Sequence, residues 1–119
     1  MGYHTATAES PIEEYPVTKI VIEDMIGYYS QQYSVSKKTM HKIISCESSY
    51  NTKAVNWQDS HRYSKGSHGI GQFSQQTFES YAKKMGKDYN DPYNPEHAIE
   101  VMAYMLSINQ GNHWTCFRK

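Results

Sequence analysis

The sequence has no long hydrophobic run, and this absence narrows what the chain can be. No stretch of about eighteen apolar residues is present, so no segment has the length that a transmembrane helix needs. The first residues also lack the basic-then-apolar order of a secretory signal peptide. We therefore expect no membrane insertion. A mature or excised domain would lack a signal in the same way, so the compartment stays open.

An excess of charge of one sign is missing too, because twelve basic side chains cancel twelve acidic ones. Nucleic acids and anionic membranes attract clusters of Lys and Arg, so the balance favours neither as a partner. His61 and His68 share a loop but lack Cys or acidic partners at ligand spacing, so they predict no metal site. No cofactor is expected. At 119 residues the chain predicts one domain, with a monomer as the default.

Cysteine is scarce: only Cys46 and Cys116 are present. A disulfide between them would strap the end of the chain to the segment around Cys46, stabilise the fold by roughly 4 kcal/mol in the chain-entropy model, and imply an oxidising compartment. Two buried free thiols are the alternative. A cysteine nucleophile is less favoured, since no motif supplies Cys46 with a His or Asn partner.

Four apolar stripes at helical spacing are present, and they predict an all-α domain of four main helices. Each stripe follows a residue that favours a helix N-terminus; these residues are Thr18, Ser36, Ser74 and Asn94. The second helix runs to Glu47, the third stops at Gly86 and the fourth stops at Gly111. The expected buried stripe of the fourth helix is Ile99, Met102, Ala103 and Leu106.

The remaining segments lack this period. Residues 1–16 hold two prolines and few apolar side chains, so we predict a flexible arm there and a domain over residues 17–119. Residues 51–71 are rich in Asn, Asp, Ser, Gly and His and predict a long loop with room for a short hairpin. A loop of about twenty residues in so small a domain is typical of a binding or lid segment.

Glu47 is an acid where the helix pattern calls for an apolar residue. It continues the stripe of Met40, Ile43 and Ile44, so its carboxyl is expected on the core side, near the negative end of the helix dipole. Burial and the dipole both favour the protonated form, and a raised pKa suits a general acid. The plain alternative is a boundary Glu that reaches water or pairs with a Lys.

Three blocks stand in an order that carries a family resemblance: Glu47-Ser48-Ser49-Tyr50-Asn51, then Gly69-Ile70-Gly71-Gln72-Phe73 followed by Thr77, then a Tyr in the last helix. Together they resemble the SLT-type lytic transglycosylase domain, a lysozyme-like fold of peptidoglycan-cleaving enzymes. The resemblance covers about residues 17–117. A Cys before the acid and a terminal Trp-x-Cys are similar to the small resuscitation-promoting factors, which implies the Cys46–Cys116 disulfide.

The resemblance implies roles for single residues. Glu47 would be the catalytic acid and base, Gln72 would contact substrate beside it, and Tyr104 would orient the Glu47 carboxyl or bind the reacting sugar. The other implied substrate-binding residues are Ser48, Tyr50, Ser67 and Gly69. Two positions depart from the family pattern: Gly71 stands where Met is usual, and His97 stands where an Asn would align.

The resemblance implies a lytic transglycosylase that cleaves the MurNAc-GlcNAc β-1,4 bond and leaves a 1,6-anhydro product. A lysozyme-like hydrolase that uses Asp59 with Glu47 is the alternative. A glycan-binding module without turnover is a third hypothesis, with stacking platforms at Tyr50, Trp57, Tyr63 and Trp114. An enzyme of this kind is expected outside the cytoplasm, secreted, periplasmic or wall-associated, or on a phage virion.

Overall fold

The computed structural model of the protein describes residues 18–60 and 65–119. The predicted arm, Tyr63 and His61 therefore lie outside the described residues. Within that part of the chain the structure has α-helices α1 to α5 and strands β1 and β2. Their bounds are α1 Lys19–Gln32, α2 Lys37–Ser48, β1 Val55–Asn56, β2 Ser67–His68, α3 Gln75–Lys84, α4 Pro95–Ser107 and α5 Thr115–Arg118. The predicted all-α class is confirmed.

The starts of the four long helices are confirmed at the predicted residues. Each predicted cap accepts a backbone N–H three residues ahead and so satisfies a donor that the helix leaves open. The side-chain acceptors are Thr18, Ser36, Ser74 and Asn94, at donor–acceptor distances of 3.3, 3.0, 3.2 and 3.0 Å. Local capping therefore fixes where these helices begin.

Helix α4 is the centre of the core and packs against α1 and α3, while α2 packs against α1 and α5. Its buried surface is wider than predicted, since every residue from Ala98 to Ala103 is buried. The helix also ends earlier than predicted. Asn109 adopts a left-handed conformation with φ of 63° after Ser107, and Gln110 N–H bonds the Met105 carbonyl at 2.8 Å.

Two predictions for α4 are therefore wrong. Leu106 is only partly buried, although it packs against the core, and its neighbour Met105 is fully buried. Gly111 is not the helix stop but a packing position in a 3₁₀ turn, residues 111–113, where an added Cβ would lie 2.7 Å from the Phe117 ring. The tail beyond Gly111, for which no element was predicted, folds into that turn and the short helix α5.

The interface between α1 and α4 contains a buried acid. Glu100 is only 7% exposed, and its carboxylate accepts hydrogen bonds from the hydroxyls of Tyr33 and Tyr89. One turn earlier, the Tyr29 hydroxyl donates to Glu96 at 2.7 Å. Burial and these carboxylates raise the pKa of all three tyrosines, so the phenols stay protonated and serve as donors.

The polar loop after α2 contains the expected short hairpin. Strands β1 and β2 are antiparallel, with Val55 opposite His68 and Asn56 opposite Ser67. His68 also exchanges two backbone hydrogen bonds with Phe73, at 2.8 and 3.0 Å. These bonds join the hairpin to the turn that leads into α3. His68 is therefore paired both with strand β1 and with that turn.

Gly69 is the residue that lets this turn pass close to the segment before α4. Its φ is +78°, and an added Cβ would lie 2.1 Å from the Pro92 carbonyl oxygen. Its N–H donates to the Ala54 carbonyl at 2.7 Å. A side chain at this position would meet both a disfavoured φ and a fixed backbone atom.

The described part of the chain contains no helix that is both long and apolar enough to span a membrane.

We expect Gly69→Ala to destabilise the fold by about 3 kcal/mol, from the cost of positive φ plus the overlap with Pro92. Gly86→Ala is the matched control, because Gly86 has φ of +81° and open space around it, so it should cost about 1 kcal/mol. Urea unfolding of both variants measures the difference. Equal losses would show that the Pro92 contact adds nothing.

Candidate active site

A cavity of about 280 Å³ opens between the hairpin, the end of α2, the start of α3 and the folded tail. It is a cleft whose lining is mostly polar. The lining residues are Glu47, Asp59, Gly66, Ser67, Gln72, Ser74, Thr77, His113, Trp114 and Thr115. Five residues predicted for the site under one hypothesis or another therefore come together here: Glu47, Asp59, Ser67, Gln72 and Trp114.

Glu47 is the penultimate residue of α2 and is half-buried in this cleft. Burial raises the pKa of its carboxyl, and the negative charge of Asp59 adds to the rise. The backbone N–H of Cys116 donates a hydrogen bond to the carboxylate, and this bond and the charge of Lys119 oppose the rise. The net direction is upward, as the helix pattern predicted, so Glu47 can hold a proton at a higher pH than an exposed Glu.

A disulfide joins Cys46 and Cys116, whose Cα atoms are 5.9 Å apart. It confirms the predicted pairing and excludes the two free thiols. Cys46 precedes Glu47 in the chain, and Cys116 supplies the N–H that the Glu47 carboxylate accepts. The disulfide therefore keeps the Cys116 N–H close to the Glu47 carboxylate.

The chain turns sharply after Glu47, and Ser48 anchors the turn. Its hydroxyl donates to the Ile70 carbonyl at 2.8 Å and approaches the Ile44 carbonyl at 3.1 Å. Ser49 and Tyr50 then adopt positive φ values of 51° and 63°. Ser48 is buried and does not line the cleft. Its bond to the Ile70 carbonyl joins the end of α2 to the glycine-rich turn.

Gln72 holds its position on the cleft floor through its own amide. Its Nε2 donates to the carbonyls of Ala54, at 3.2 Å, and Gly69, at 2.9 Å. Both amide hydrogens are then used, so Oε1 is the atom left to accept a bond from a ligand. Beside it, the indole N–H of the buried Trp114 donates to the Gly71 carbonyl at 2.8 Å.

Asp59 and Ser67 form the wall of the cleft on the hairpin side. Asp59 ends a 3₁₀ turn over Trp57–Asp59 and is exposed. Its Oδ2 accepts a hydrogen bond from the Ser67 hydroxyl at 2.7 Å, across the base of the hairpin. A second carboxylate thus faces the same cleft as Glu47, held by a residue of strand β2.

Three other predicted site residues do not line the cleft. The Tyr50 hydroxyl bonds His41 Nδ1 at 2.8 Å, and Lys19 lies over the Tyr50 ring. Tyr104 contacts the edge of the Tyr33 ring, with centroids 6.3 Å apart. Gly69 acts through the backbone contact with Pro92 that is described above. Substrate roles for these residues, and for Ser48, stay predictions.

The two departures from the family pattern have structural explanations. A side chain at Gly71 would place Cβ 2.5 Å from the Phe73 ring, so Phe73 occupies the space that a Met would need. His97 stacks on Tyr89, with ring centroids 3.7 Å apart, and does not line the cleft. In the described part of the chain no group of three His, Cys, Asp or Glu side chains is placed to hold a metal ion.

The sequence did not single out His113 and Thr115 as cleft residues. Both belong to the tail, which reaches the cleft because the disulfide and the Trp114 indole attach it there. Ser74 was predicted only as a helix cap, yet it also lines the cleft. The Trp-x-Cys segment was the one signal that placed the tail near Glu47.

The family model described as Transglycosylase SLT domain matches residues 24–115, which is most of the chain. The match begins inside α1 and extends to the first residue of α5, so it spans the cleft described above. A search of curated proteins finds no match to this sequence.

We expect Glu47→Gln to be more stable than the wild type at neutral pH. The folded wild-type protein holds a proton on Glu47 above the ordinary pKa of 4.5, so its stability falls as pH rises from there through the raised pKa. The Gln variant avoids this loss, which corresponds to about 1.4 kcal/mol for each pKa unit.

Urea unfolding from pH 3 to pH 8 measures the gain, which should disappear below the ordinary Glu pKa. A gain that does not change with pH would show that the Glu47 pKa is not raised. Asp24→Asn on the exposed face of α1 is the control for the loss of one negative charge and is unfolded over the same pH range.

Proposed function

The chain belongs to the transglycosylase SLT domain family, and from that premise we propose that it cleaves the glycan strands of peptidoglycan as a lytic transglycosylase. The bond cleaved is the MurNAc-GlcNAc β-1,4 linkage, and the product ends in a 1,6-anhydro ring. The observation that carries the proposal is Glu47: a half-buried acid with a raised pKa, in a polar cleft that the family match spans.

Protonation of the leaving group is the first step. Glu47, whose raised pKa favours the acid form, donates its proton to the glycosidic oxygen, and the C1–O4 bond breaks. Positive charge then develops at C1 of the MurNAc residue. The N-acetyl carbonyl of the same sugar stabilises that charge, in the place where other glycosidases use a carboxylate of the protein.

Ring closure is the second step. The Glu47 carboxylate takes the proton from the C6 hydroxyl of the same sugar, O6 bonds to C1, and the 1,6-anhydro ring forms. The proton balance closes, since Glu47 ends the cycle protonated and no water is consumed. The Cys116 N–H suits this cycle because it stabilises the carboxylate that exists between the two steps.

One observation favours a second candidate, a hydrolase. Asp59 lies in the same cleft, and its charge contributes to the raised pKa of Glu47. A carboxylate on the far side of the sugar could activate a water for attack at C1, as in inverting glycosidases. Asp59 already accepts a bond from Ser67, which would hold the carboxylate in a fixed direction.

A glycan-binding module without turnover is less well supported. Of its expected platforms, Trp114 is 2% exposed and Tyr50 is engaged with His41, while Trp57 is 61% exposed. A binder would also gain nothing from the half-buried Glu47. The disulfide suits an oxidising compartment, and with that support we propose that the enzyme acts outside the cytoplasm or on a phage virion.

The mass of the products separates the candidates. Purified peptidoglycan should yield muropeptides with 1,6-anhydro ends, and Glu47→Gln should lower the rate by about 10³-fold or more while keeping the fold. Glu23→Gln, on an exposed face of α1, should cleave at the wild-type rate. Retained cleavage in Glu47→Gln would overturn the assignment of the acid.

Asp59→Asn tests the hydrolase directly. The transglycosylase needs no second carboxylate, so the variant should still form anhydro products, with a rate within about tenfold of the wild type because the Glu47 pKa falls when the neighbouring charge is removed. Reducing-end products from the wild type, lost in Asp59→Asn, would establish the hydrolase instead.

A further inference from the structure

The tail carries a histidine into the cleft and holds its backbone firmly. His113 ends the 3₁₀ turn that begins at Gly111. Within this turn, Gly111 packs against the Phe117 ring, and its carbonyl accepts the Trp114 N–H at 3.0 Å. The Trp114 indole is in turn bonded to the Gly71 carbonyl. The backbone on both sides of His113 is therefore anchored.

Two buried aromatic rings fix the direction of the His113 imidazole. It lies nearly parallel to the Phe73 ring, with an interplanar angle of 23° and centroids 6.1 Å apart. It also meets the Trp114 ring at 89°, with centroids 4.9 Å apart. Because Phe73 and Trp114 belong to the core, the imidazole is a preorganised part of the cleft wall.

The ring nitrogens of His113 have no hydrogen-bond partner in the described part of the chain. Two other histidines differ: His41 Nδ1 bonds the Tyr50 hydroxyl, and both nitrogens of His68 are used, by Tyr93 and the Lys65 carbonyl. The His113 side chain is exposed to solvent, yet the partial burial of its ring lowers the pKa of the imidazole. The neutral ring then offers one donor and one acceptor to whatever fills the cleft.

We propose that His113 is a substrate-binding residue of the cleft, whose imidazole nitrogens exchange hydrogen bonds with hydroxyl or acetamido groups of an N-acetylated glycan. The ligand class rests on the proposed function. Such sugars carry donors and acceptors on every ring, so either nitrogen finds a partner, and the polar neighbours Ser74, Thr77 and Thr115 surround the same space. Substrate would thereby satisfy polar atoms that the fold leaves open.

Two substitutions separate hydrogen bonding from packing. His113→Phe keeps a ring against Phe73 but removes both nitrogens, whereas His113→Gln loses the ring but keeps a donor and an acceptor. In a Glu47→Gln background, which prevents turnover, calorimetry with the soluble tetramer of N-acetylglucosamine measures affinity. We expect about a tenfold loss for Phe and recovery to within about threefold for Gln.

His97→Phe is the matched control, since His97 is also stacked on an aromatic ring but lies outside the cleft; its affinity should equal that of the parent. Wild-type affinity in His113→Phe, or equal losses in Phe and Gln, would overturn the proposal. Failure of the tetramer to bind at all would overturn it together with the glycan assignment.

A second measurement does not depend on any substitution at His113. In the Glu47→Gln protein, titration with the tetramer should move the ring ¹⁵N resonances of His113 and leave those of His68, whose nitrogens are already bonded, in place. Unmoved His113 resonances in a saturated complex would overturn the inference. Binding without cleavage by the wild type would instead refute the transglycosylase and leave the role of His113 standing.

Discussion

The link between the last helix and the end of α2 is the constraint on which the cleft depends. The Cys46–Cys116 bond makes it covalent, and the Cys116 N–H extends it to the Glu47 carboxylate. Together with the Trp114 indole, which bonds the Gly71 carbonyl, this attachment holds the wall formed by residues 113–115 opposite the hairpin. An acid and its hydrogen-bond donor, which are about seventy residues apart in the chain, are thus held as one unit.

Several groups in the cleft act on the pKa of Glu47, and they act in opposite directions. Burial and the charge of Asp59 favour the acid form of Glu47, whereas the Cys116 N–H favours the carboxylate. A group that must donate a proton and then accept one gains from such a balance, because neither form is strongly trapped. The protein therefore tunes one carboxyl for both halves of the proposed reaction.

The features that depend only on residues nearby in the sequence could be predicted from the sequence. Helix starts at caps such as Asn94 follow from hydrogen bonds three residues away, and the position of Glu47 follows from the period of α2. Long-range placement could not be predicted. Tyr50 follows the acid closely, yet its positive φ turns it toward His41, and His113 reaches the cleft only because the tail folds back.

The buried contact between α1 and α4 determines how the salt concentration of the medium affects the packing of the fold. Glu100 is held by the hydroxyls of Tyr33 and Tyr89, so neither bond joins two opposite charges. Dissolved ions weaken the attraction between two opposite charges far more than a short hydrogen bond of this kind in a water-poor interface. The scaffold behind the cleft should therefore keep its packing across brackish and dilute surroundings alike.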